Sequence, residues 1–174
     1  TLTNNINISG SKNLGADYMN IYYAYASMPW DDPYDENGEV RSFKTATGIW
    51  SKDKINPIQA AQNSELSNKS FSFDYDIDLS IKIFNWLTFT STNRLSAVSS
   101  MDKTYYAAAA DNIVYYGIGY VSTQSNFAYG GITTDLLKFS FERSAHSISG
   151  LVGFEGQGSS DDYIFGSGMN IPEG

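Results

Sequence analysis

The chain has 174 residues with a formal net charge of −8, which excludes nucleic acid as a partner because phosphate binding needs a basic surface. It contains no cysteine, which excludes disulfides, thiolate metal sites and cysteine nucleophiles. Only 17% of its residues are charged, whereas 13 are tyrosine and 15 are glycine, a composition typical of a sheet with one face hidden from water.

The first part of the chain combines a short strand with a long insertion. Residues 2–9 alternate in polarity, which predicts a strand ended by Gly10. A polar and aromatic insertion follows at about residues 11–68, and the apolar spacing within it predicts a helix over 16–27. Residues 1–174 are not expected to include a signal peptide, and both ends of the chain are expected to be cut from something larger.

Residues 71–83 alternate between apolar and polar side chains without a break. Successive side chains of a strand point to opposite faces, so this segment is predicted to have one apolar face and one charged face. Its length is about 40 Å at ~3.3 Å per residue, compared with ~5–6 residues for a usual strand. A soluble core rarely needs so long an apolar stripe, whereas a transmembrane barrel has lipid outside and a polar lumen.

The connections that follow alternate between short and long. The predicted elements are a short link at 84–86, a strand at 87–97, a loop at 98–116, an extended stretch at 117–142, a turn at 143–146, a strand at 148–157 and a Gly/Ser/Asp-rich tail. Antiparallel strands would place the short links at one end and the long loops at the other, as in bacterial outer-membrane barrels. The aromatic residues Phe84 and Trp86 are then expected in an interfacial girdle.

A family resemblance is carried by an ordered set of motifs along most of the chain. They are Met28-Pro29-Trp30-Asp31-Asp32-Pro33-Tyr34-Asp35-Glu36-Asn37-Gly38-Glu39, Trp50, Asn56-Pro57-Ile58, residues 71–83, Trp86-Leu87-Thr88-Phe89, Leu136-Leu137-Lys138-Phe139-Ser140-Phe141, His146-Ser147-Ile148 and Gly150-Leu151-Val152-Gly153-Phe154-Glu155. In this order the chain resembles a stretch of the β-barrel of SusC/RagA-type TonB-linked outer-membrane transporters of Bacteroidetes. The resemblance implies an all-β fold, with residues 1–174 forming about five antiparallel up-and-down strands of a plugged transmembrane barrel of about 22 strands.

The resemblance also implies a location and a set of partners. Such a barrel lies in the cell outer membrane, carries a SusD-like surface lipoprotein over its mouth, and imports oligosaccharides or peptides. The TonB complex drives this import through a plug and an N-terminal region that are not expected within these residues. No cofactor and no metal are implied, and the chain is not expected to be an enzyme.

Two groups of residues are candidates for the functional surface. Aromatic side chains of the two long loops are expected to face a ligand or a partner, since aromatic rings hold sugars and anchor interfaces, although packing within the loops is the alternative; they are Trp30, Tyr34, Trp50, Tyr105, Tyr106, Tyr115 and Tyr116. Three carboxylates on the polar face of residues 71–83 are expected to line the lumen: Asp74, Asp76 and Asp78. Their spacing does not continue as a calcium loop, because Leu79 and Ser80 follow.

Other interpretations of the chain remain open. The acidic cluster Asp31, Asp32, Asp35, Glu36 and Glu39 is expected to be a solvated loop, with calcium bridging as the alternative. The chain as a whole is also compatible with a soluble all-β carbohydrate-binding module, or with a hydrolase fragment that pairs two carboxylates about 5–10 Å apart. A soluble module would bury the apolar face of residues 71–83 against a second sheet, whereas a transporter would leave it to lipid.

Overall fold

The computed structural model describes residues 1–15, 18–46, 54–112 and 114–171. In these ranges the elements are β1 (Leu2–Gly15), α1 (Tyr18–Ala26), α2 (Pro57–Gln62), β2 (Ser64–Phe84), β3 (Leu87–Tyr106), β4 (Tyr120–Arg143) and β5 (His146–Met169). The strands form one antiparallel sheet in the order β1-β2-β3-β4-β5. The predicted all-β, up-and-down architecture is therefore confirmed.

Three strands are longer than their sequence pattern predicted. β1 continues beyond Gly10, β3 continues through residues 98–106, and β5 includes most of the Gly/Ser/Asp-rich tail. The expected boundaries were wrong because strand pairing, rather than polarity, decides where an extended strand ends. The Ser11 hydroxyl, for example, lies 2.9 Å from the Ser70 hydroxyl across the β1–β2 pair.

Both predicted turn regions and the predicted helix are present, and one helix was missed. The short links are two-residue turns at Asn85–Trp86 and Ser144–Ala145, and α1 falls inside the range predicted from its spacing. α2 was not predicted. It begins with Pro57 at its first position, and the Asn56 side chain accepts hydrogen bonds from the first turn, a favoured helix start.

The register between neighbouring strands is continuous, which fixes the side chains that share a face. The Ser9 hydroxyl lies 2.7 Å from that of Ser72, and the Thr133 hydroxyl donates to Asn93 Oδ1 at 2.7 Å. Since side chains alternate along each strand, the sheet has one polar face and one apolar face. The polar face includes Asp74, Asp76, Asp78, Arg94, Thr134 and Glu155, and the apolar face includes Phe73, Ile77, Leu79, Ile81, Leu137 and Phe139.

The chain divides into two compact units. The first unit comprises Thr1–Ser11, Ser70–Ser100 and Asn126–Tyr163 and contains both two-residue turns. In it, Trp86 stacks on Phe84 with ring centroids 5.4 Å apart and meets the edge of Phe141 at 5.8 Å. The second unit comprises Lys12–Lys69, Met101–Ser125 and Ile164–Gly174, and both helices and both long connections belong to it.

Buried side chains are few, and those of the described residues belong to the second unit: Tyr23, Asp31, Phe43, Ile55, Asn56, Gln59, Ala60, Ser67, Ala110 and Asp111. In the first unit the apolar face of the sheet is open, with Phe71 52% exposed and Phe154 64% exposed. The second sheet that a soluble sandwich would place over this face does not occur in the described part of the chain. No helix among the described residues is both long and apolar enough to cross a membrane.

Candidate functional site

A buried hydrogen-bond network organises the two long connections of the second unit. Asn56, which is fully buried, donates through Nδ2 to the carbonyl oxygens of Pro33 at 2.9 Å and Arg41 at 2.7 Å. Its Oδ1 accepts from the backbone N–H of Ile58 at 3.0 Å, which caps α2. The Asn56 side chain therefore joins the loop residues Pro33 and Arg41 to the start of α2, at the end of the first long connection.

Asp111 extends this network to the second long connection. Its carboxylate accepts the backbone N–H of Phe43 at 2.8 Å and of Asn56 at 3.0 Å, and also the hydroxyl of Ser42. Asp111 is 1% exposed, and these donors provide the hydrogen bonds that a buried polar group requires. Gln59 completes the connection, because its Oε1 accepts from Asp111 N–H at 2.6 Å and its Nε2 donates to Ala109 O at 2.8 Å.

The acidic cluster of the first connection forms turn caps. Asp31 Oδ2 accepts from Met28 N–H at 2.8 Å, and Asp35 Oδ1 accepts from the N–H groups of Asn37 at 2.8 Å and Glu39 at 2.9 Å. The hydrogen bond from Glu39 N–H lowers the pKa of Asp35 below its ordinary value of 3.8. Gly38 closes the turn at φ +81°, a conformation that favours glycine.

The structure does not gather the described members of these acids into a metal site. In the described ranges, groups of three or more His, Asp or Glu side chains with metal-binding geometry are not found. The carboxylates of Asp31, Asp32 and Asp35 are each within hydrogen-bond distance of a backbone N–H group.

The predicted aromatic candidates occupy different environments. Trp30, Tyr34 and Tyr116 are 63%, 43% and 38% exposed, so their rings are accessible in the loops. Tyr105 and Tyr106 end β3 instead of lying in the second loop as expected, because β3 is longer than its pattern indicated. Trp50 lies outside the described residues.

Tyr115 is at the centre of a stack of three tyrosine rings. Its ring lies 5.4 Å from that of Tyr106 and 4.3 Å from that of Tyr120, with interplanar angles of 22° and 10°. The loop between β3 and β4 is thus held against the strands that it joins. Tyr115 contributes to loop packing, the alternative considered for every aromatic candidate.

The two helices form an open apolar groove of about 620 Å³ in the second unit. The residues that line it are Ile21, Ala24, Tyr25, Pro57, Ile58, Ala61 and Gln62. Tyr25 is 89% exposed and Ile21 is 59% exposed, so this surface is apolar and open. Sequence spacing predicted α1 but not this groove, because α2 was missed.

Arg94 of β3 partly neutralises the three predicted lumen carboxylates of β2, Asp74, Asp76 and Asp78, in the first unit. Arg94 Nε lies 2.6 Å from Asp76 Oδ1, and Arg94 also interacts electrostatically with Asp74 and Asp78. A furrow of about 480 Å³ on this face is lined by Arg94, Ser96, Gly130, Ile132 and Ser159, among others. The polar face therefore combines fixed charges with open space.

The fold resembles solved structures of one transport system. A structure of the RagAB peptide transporter matches with a TM-score of 0.67 and 17% identity, covering 98% of this chain and 20% of the matched chain. The RagAB peptide importer in its "closed-closed" state gives the same values. Its "open-open" state gives a TM-score of 0.66 at 17% identity, covering 97% of this chain and 19% of that one.

These comparisons define the class of fold. The chain spans about a fifth of the length of the transporter chains that it matches, and its sheet resembles a segment of the RagA barrel. No protein-family profile matches the sequence, and no curated protein matches it.

Sequence reasoning missed the residues that organise the loops: Asn56, Gln59 and Asp111. A signal was present for Asn56, since asparagine directly before proline is a favoured helix N-cap followed by a favoured first residue. No local signal marked Asp111, because its hydrogen-bond partners Phe43 and Asn56 are 68 and 55 residues away in sequence.

Proposed function

We propose that residues 1–174 form part of the barrel of a TonB-dependent outer-membrane transporter of the SusC/RagA kind. The whole protein imports oligosaccharides or peptides in partnership with a SusD-like surface lipoprotein. Transport, and not catalysis, is the function assigned, and the energy for it comes from the TonB complex through a plug outside this sheet.

The observation that carries this proposal is the match to the RagAB transporter over 98% of the chain. The two faces of the sheet agree with it. The apolar face is exposed at Phe71, Ile81 and Ile83, as lipid contact requires, and the opposite face carries the Asp76–Arg94 ion pair, as a polar lumen requires.

The long connections are the proposed extracellular loops of this barrel. The exposed rings of Trp30, Tyr34 and Tyr116 are the proposed contacts for substrate or lipoprotein, since aromatic rings suit both. The network of Asn56 and Asp111 holds the backbone that carries Tyr34, because Asn56 binds the carbonyl group of the adjacent Pro33.

The proposal is tested with the full-length protein in its source organism. Membrane fractionation is expected to place the protein in the outer membrane, and affinity purification in mild detergent is expected to recover a surface lipoprotein with it. A soluble protein that binds glycans without membrane association would overturn the proposal and favour the carbohydrate-binding module.

The substrate class is tested by uptake. A strain that lacks the gene is expected to lose import of one class of labelled substrate, either oligosaccharides or peptides, and to regain it on complementation. Trp30→Ala, in the exposed loop, is expected to reduce uptake, while Tyr129→Ala is the control on an exposed aromatic of β4, away from the loops and the helix groove. Equal uptake by both variants and the parent would contradict a role for Trp30.

A further inference from the structure

Two lysine side chains face each other across the β1–β2 pair. Lys12 follows Ser11 in β1 and Lys69 precedes Ser70 in β2, and the two serine hydroxyl groups lie 2.9 Å apart across the pair. Antiparallel pairing therefore sets Lys12 directly opposite Lys69. Both lysines are exposed, and both belong to the second unit.

The same register holds along the whole β1–β2 pair. Thr1 and Ser80 exchange both backbone hydrogen bonds, at 2.6 and 2.8 Å, and a Cβ atom on Gly15 would lie 3.8 Å from Leu66 Cβ. Pairs with and without these hydrogen bonds alternate, so the even-numbered Lys12 belongs to a pair without them, in which opposite Cα atoms are only about 4.5 Å apart. Like charges directly opposite each other destabilise a sheet.

The lysine pair is on the face that the proposed function gives to lipid. Side chains alternate along a strand, so Lys69 shares its face of β2 with the apolar series from Ile83 to Phe71, and Lys12 shares its face of β1 with Leu14, which is 69% exposed. At ~3.3 Å per residue and ~40° tilt, the apolar series spans about 30 Å along the membrane normal, the thickness of the hydrocarbon core. Lys69 is the first residue of this face beyond the series, where lipid head groups begin.

No described carboxylate neutralises the lysine pair. Glu65, which shares this face of β2, is paired with Lys103 Nζ at 3.2 Å, and the same Nζ lies 5.8 Å from the centre of the Tyr105 ring. Lys12 and Lys69 form no ion pair with any residue in the described part of the chain. Two adjacent positive charges therefore project from a chain whose net charge is −8.

We propose that the lysine pair binds a phosphate group of lipid A, the lipid anchor of lipopolysaccharide in the outer leaflet of the outer membrane. The inference rests on the proposed function, because it takes this face to be the lipid-facing one and the end of β2 away from the β2–β3 turn to be the cell-surface end. A phosphate group carries about two negative charges and three acceptor oxygens. One phosphate group can therefore accept hydrogen bonds from both ammonium groups.

Position and charge select a lipid phosphate as the occupant. A lysine stem lies along apolar surface while its ammonium group reaches the polar layer, so the charges from both strands converge at the head-group boundary. A phosphate between them offsets their mutual repulsion, which explains like charges at a close cross-strand position. Each basic side chain near an anionic membrane surface strengthens binding roughly fivefold.

Binding is tested with full-length protein that has been purified in mild detergent and stripped of lipopolysaccharide. Purified lipid A with its phosphate groups is the probe, and native mass spectrometry measures the bound fraction during a titration. The double variant Lys12→Gln/Lys69→Gln is expected to bind lipid A about 25-fold more weakly than the parent, whereas Lys12→Arg/Lys69→Arg retains binding. Lys82→Gln/Lys138→Gln makes an equal charge change on the polar face, and this matched control is expected to bind as the parent does.

Two further probes identify the source of the phosphate. Lipid A from which the phosphate groups have been removed is expected to bind the parent as weakly as it binds the double glutamine variant. Inorganic phosphate is expected to leave lipid A bound, because it lacks the acyl chains that hold the lipid against the apolar face. Displacement of lipid A by inorganic phosphate would indicate a site for free anions and would overturn the lipid as the ligand.

Thermal unfolding gives a readout that a purely structural role of the lysines would not produce. In detergent without lipid A, Lys69→Gln is expected to unfold at a higher temperature than the parent, because it removes the repulsion between the two lysines. Addition of lipid A is expected to raise the unfolding temperature of the parent and to leave that of the variant unchanged. A lower unfolding temperature of Lys69→Gln without lipid A would mean that a protein carboxylate already neutralises the pair in the full barrel, and would overturn the proposal.

The outcomes separate this inference from the proposed function. A barrel that fractionates with the outer membrane, and that binds lipid A equally well in the parent and in the double glutamine variant, overturns the lysine site and leaves the transporter proposal intact. A protein absent from the outer membrane overturns both. Heat modifiability on gels shows whether each variant has folded, and the single variants Lys12→Gln and Lys69→Gln, each expected to bind about fivefold more weakly, replace a double variant that does not fold.

Discussion

Replacing Asn56 by alanine is expected to open the loop network of the second unit without unfolding the sheet. Asn56 donates to the carbonyl groups of Pro33 and Arg41 and caps α2 through Ile58. Alanine has no polar side-chain atom to replace any of these hydrogen bonds. The loss of stability is therefore confined to the loop and helix residues that the network joins.

The size of the effect follows from the two hydrogen bonds to carbonyl groups and the helix cap that alanine removes. Pro33 and Arg41 are half-buried, so water reaches their carbonyl groups in part and each broken hydrogen bond costs about 1 kcal/mol, the lower end of the range for an unsatisfied buried group. Loss of the helix cap costs about 1 kcal/mol more. The total of about 3 kcal/mol raises the opening equilibrium of the network roughly a hundredfold.

Hydrogen–deuterium exchange of the full-length protein, read by mass spectrometry, measures this opening. Two amide groups report on it directly, since Phe43 N–H and Asp111 N–H donate within the network. Peptides that cover residues 33–46 and 107–112 are expected to exchange faster in Asn56→Ala. Peptides from the β2–β3 turn, which belongs to the first unit, are expected to keep their exchange rates.

Two further variants sharpen the test. Asn56→Asp keeps the cap acceptor but turns an oxygen toward two carbonyl oxygens beside the Asp111 carboxylate, so it is expected to open the network at least as much as alanine. Gln62→Ala changes an exposed residue of the same helix and is expected to have no effect. Unchanged exchange of both loop segments in Asn56→Ala would refute the reasoning, as would an aspartate variant as protected as the parent.

Three other substitutions test separate parts of the structure. Ile77→Arg on the apolar face is expected to destabilise the full barrel by ~2–4 kcal/mol in a lipid refolding assay, while Ser80→Arg on the polar face is the control; equal stability of both variants would count against lipid contact at Ile77. The Asp35 turn is expected to hold above the ordinary aspartate pKa of 3.8 and to loosen only as the pH falls through the lowered pKa of Asp35 in the folded state. The reason is that the hydrogen bonds of the folded turn stabilise the ionised carboxylate. Hydrogen exchange of the Asn37 and Glu39 amides measures the pH dependence of the turn in the parent and in Asp35→Asn, across pH 2–6 (roughly the range of carboxyl titration). The same pH profile in both proteins would contradict the role of the Asp35 carboxylate. Tyr115→Ala removes two ring contacts worth about 0.5–1.5 kcal/mol each and is expected to speed exchange in residues 107–119, whereas Tyr115→Phe keeps the stack; identical protection in all three proteins would exclude a role for the stack.

The local polarity pattern of the amino-acid sequence was sufficient to predict the fold class and several secondary-structure elements. The period of two in residues 71–83 predicted β2 and its two faces, because alternation is a property of a single strand and needs no knowledge of its neighbours. The pair Asn37-Gly38 is a common turn sequence, and Gly38 has the positive φ that such a turn uses. The helical spacing after residue 16 likewise predicted α1.

Strand ends and side-chain partners depended on tertiary structure. Residues 98–106 and the tail of β5 have no clear alternation of their own, and they are extended because a neighbouring strand supplies their hydrogen bonds. Asp111 resembles any loop aspartate in sequence, and only the folded chain brings Phe43 and Asn56 to its carboxylate.

The same division between local and tertiary information applies to four polar side chains on the apolar face, Ser91, Asn93, Thr133 and Asp135. Thr133 and Asp135 are ordinary residues in a strand whose polarity varies, and neither Ser91 nor Asn93 identifies its own face in sequence. The register between β3 and β4 decides that all four side chains point the same way. Register is set by pairing across the whole sheet, so a single strand contains too little information to determine it.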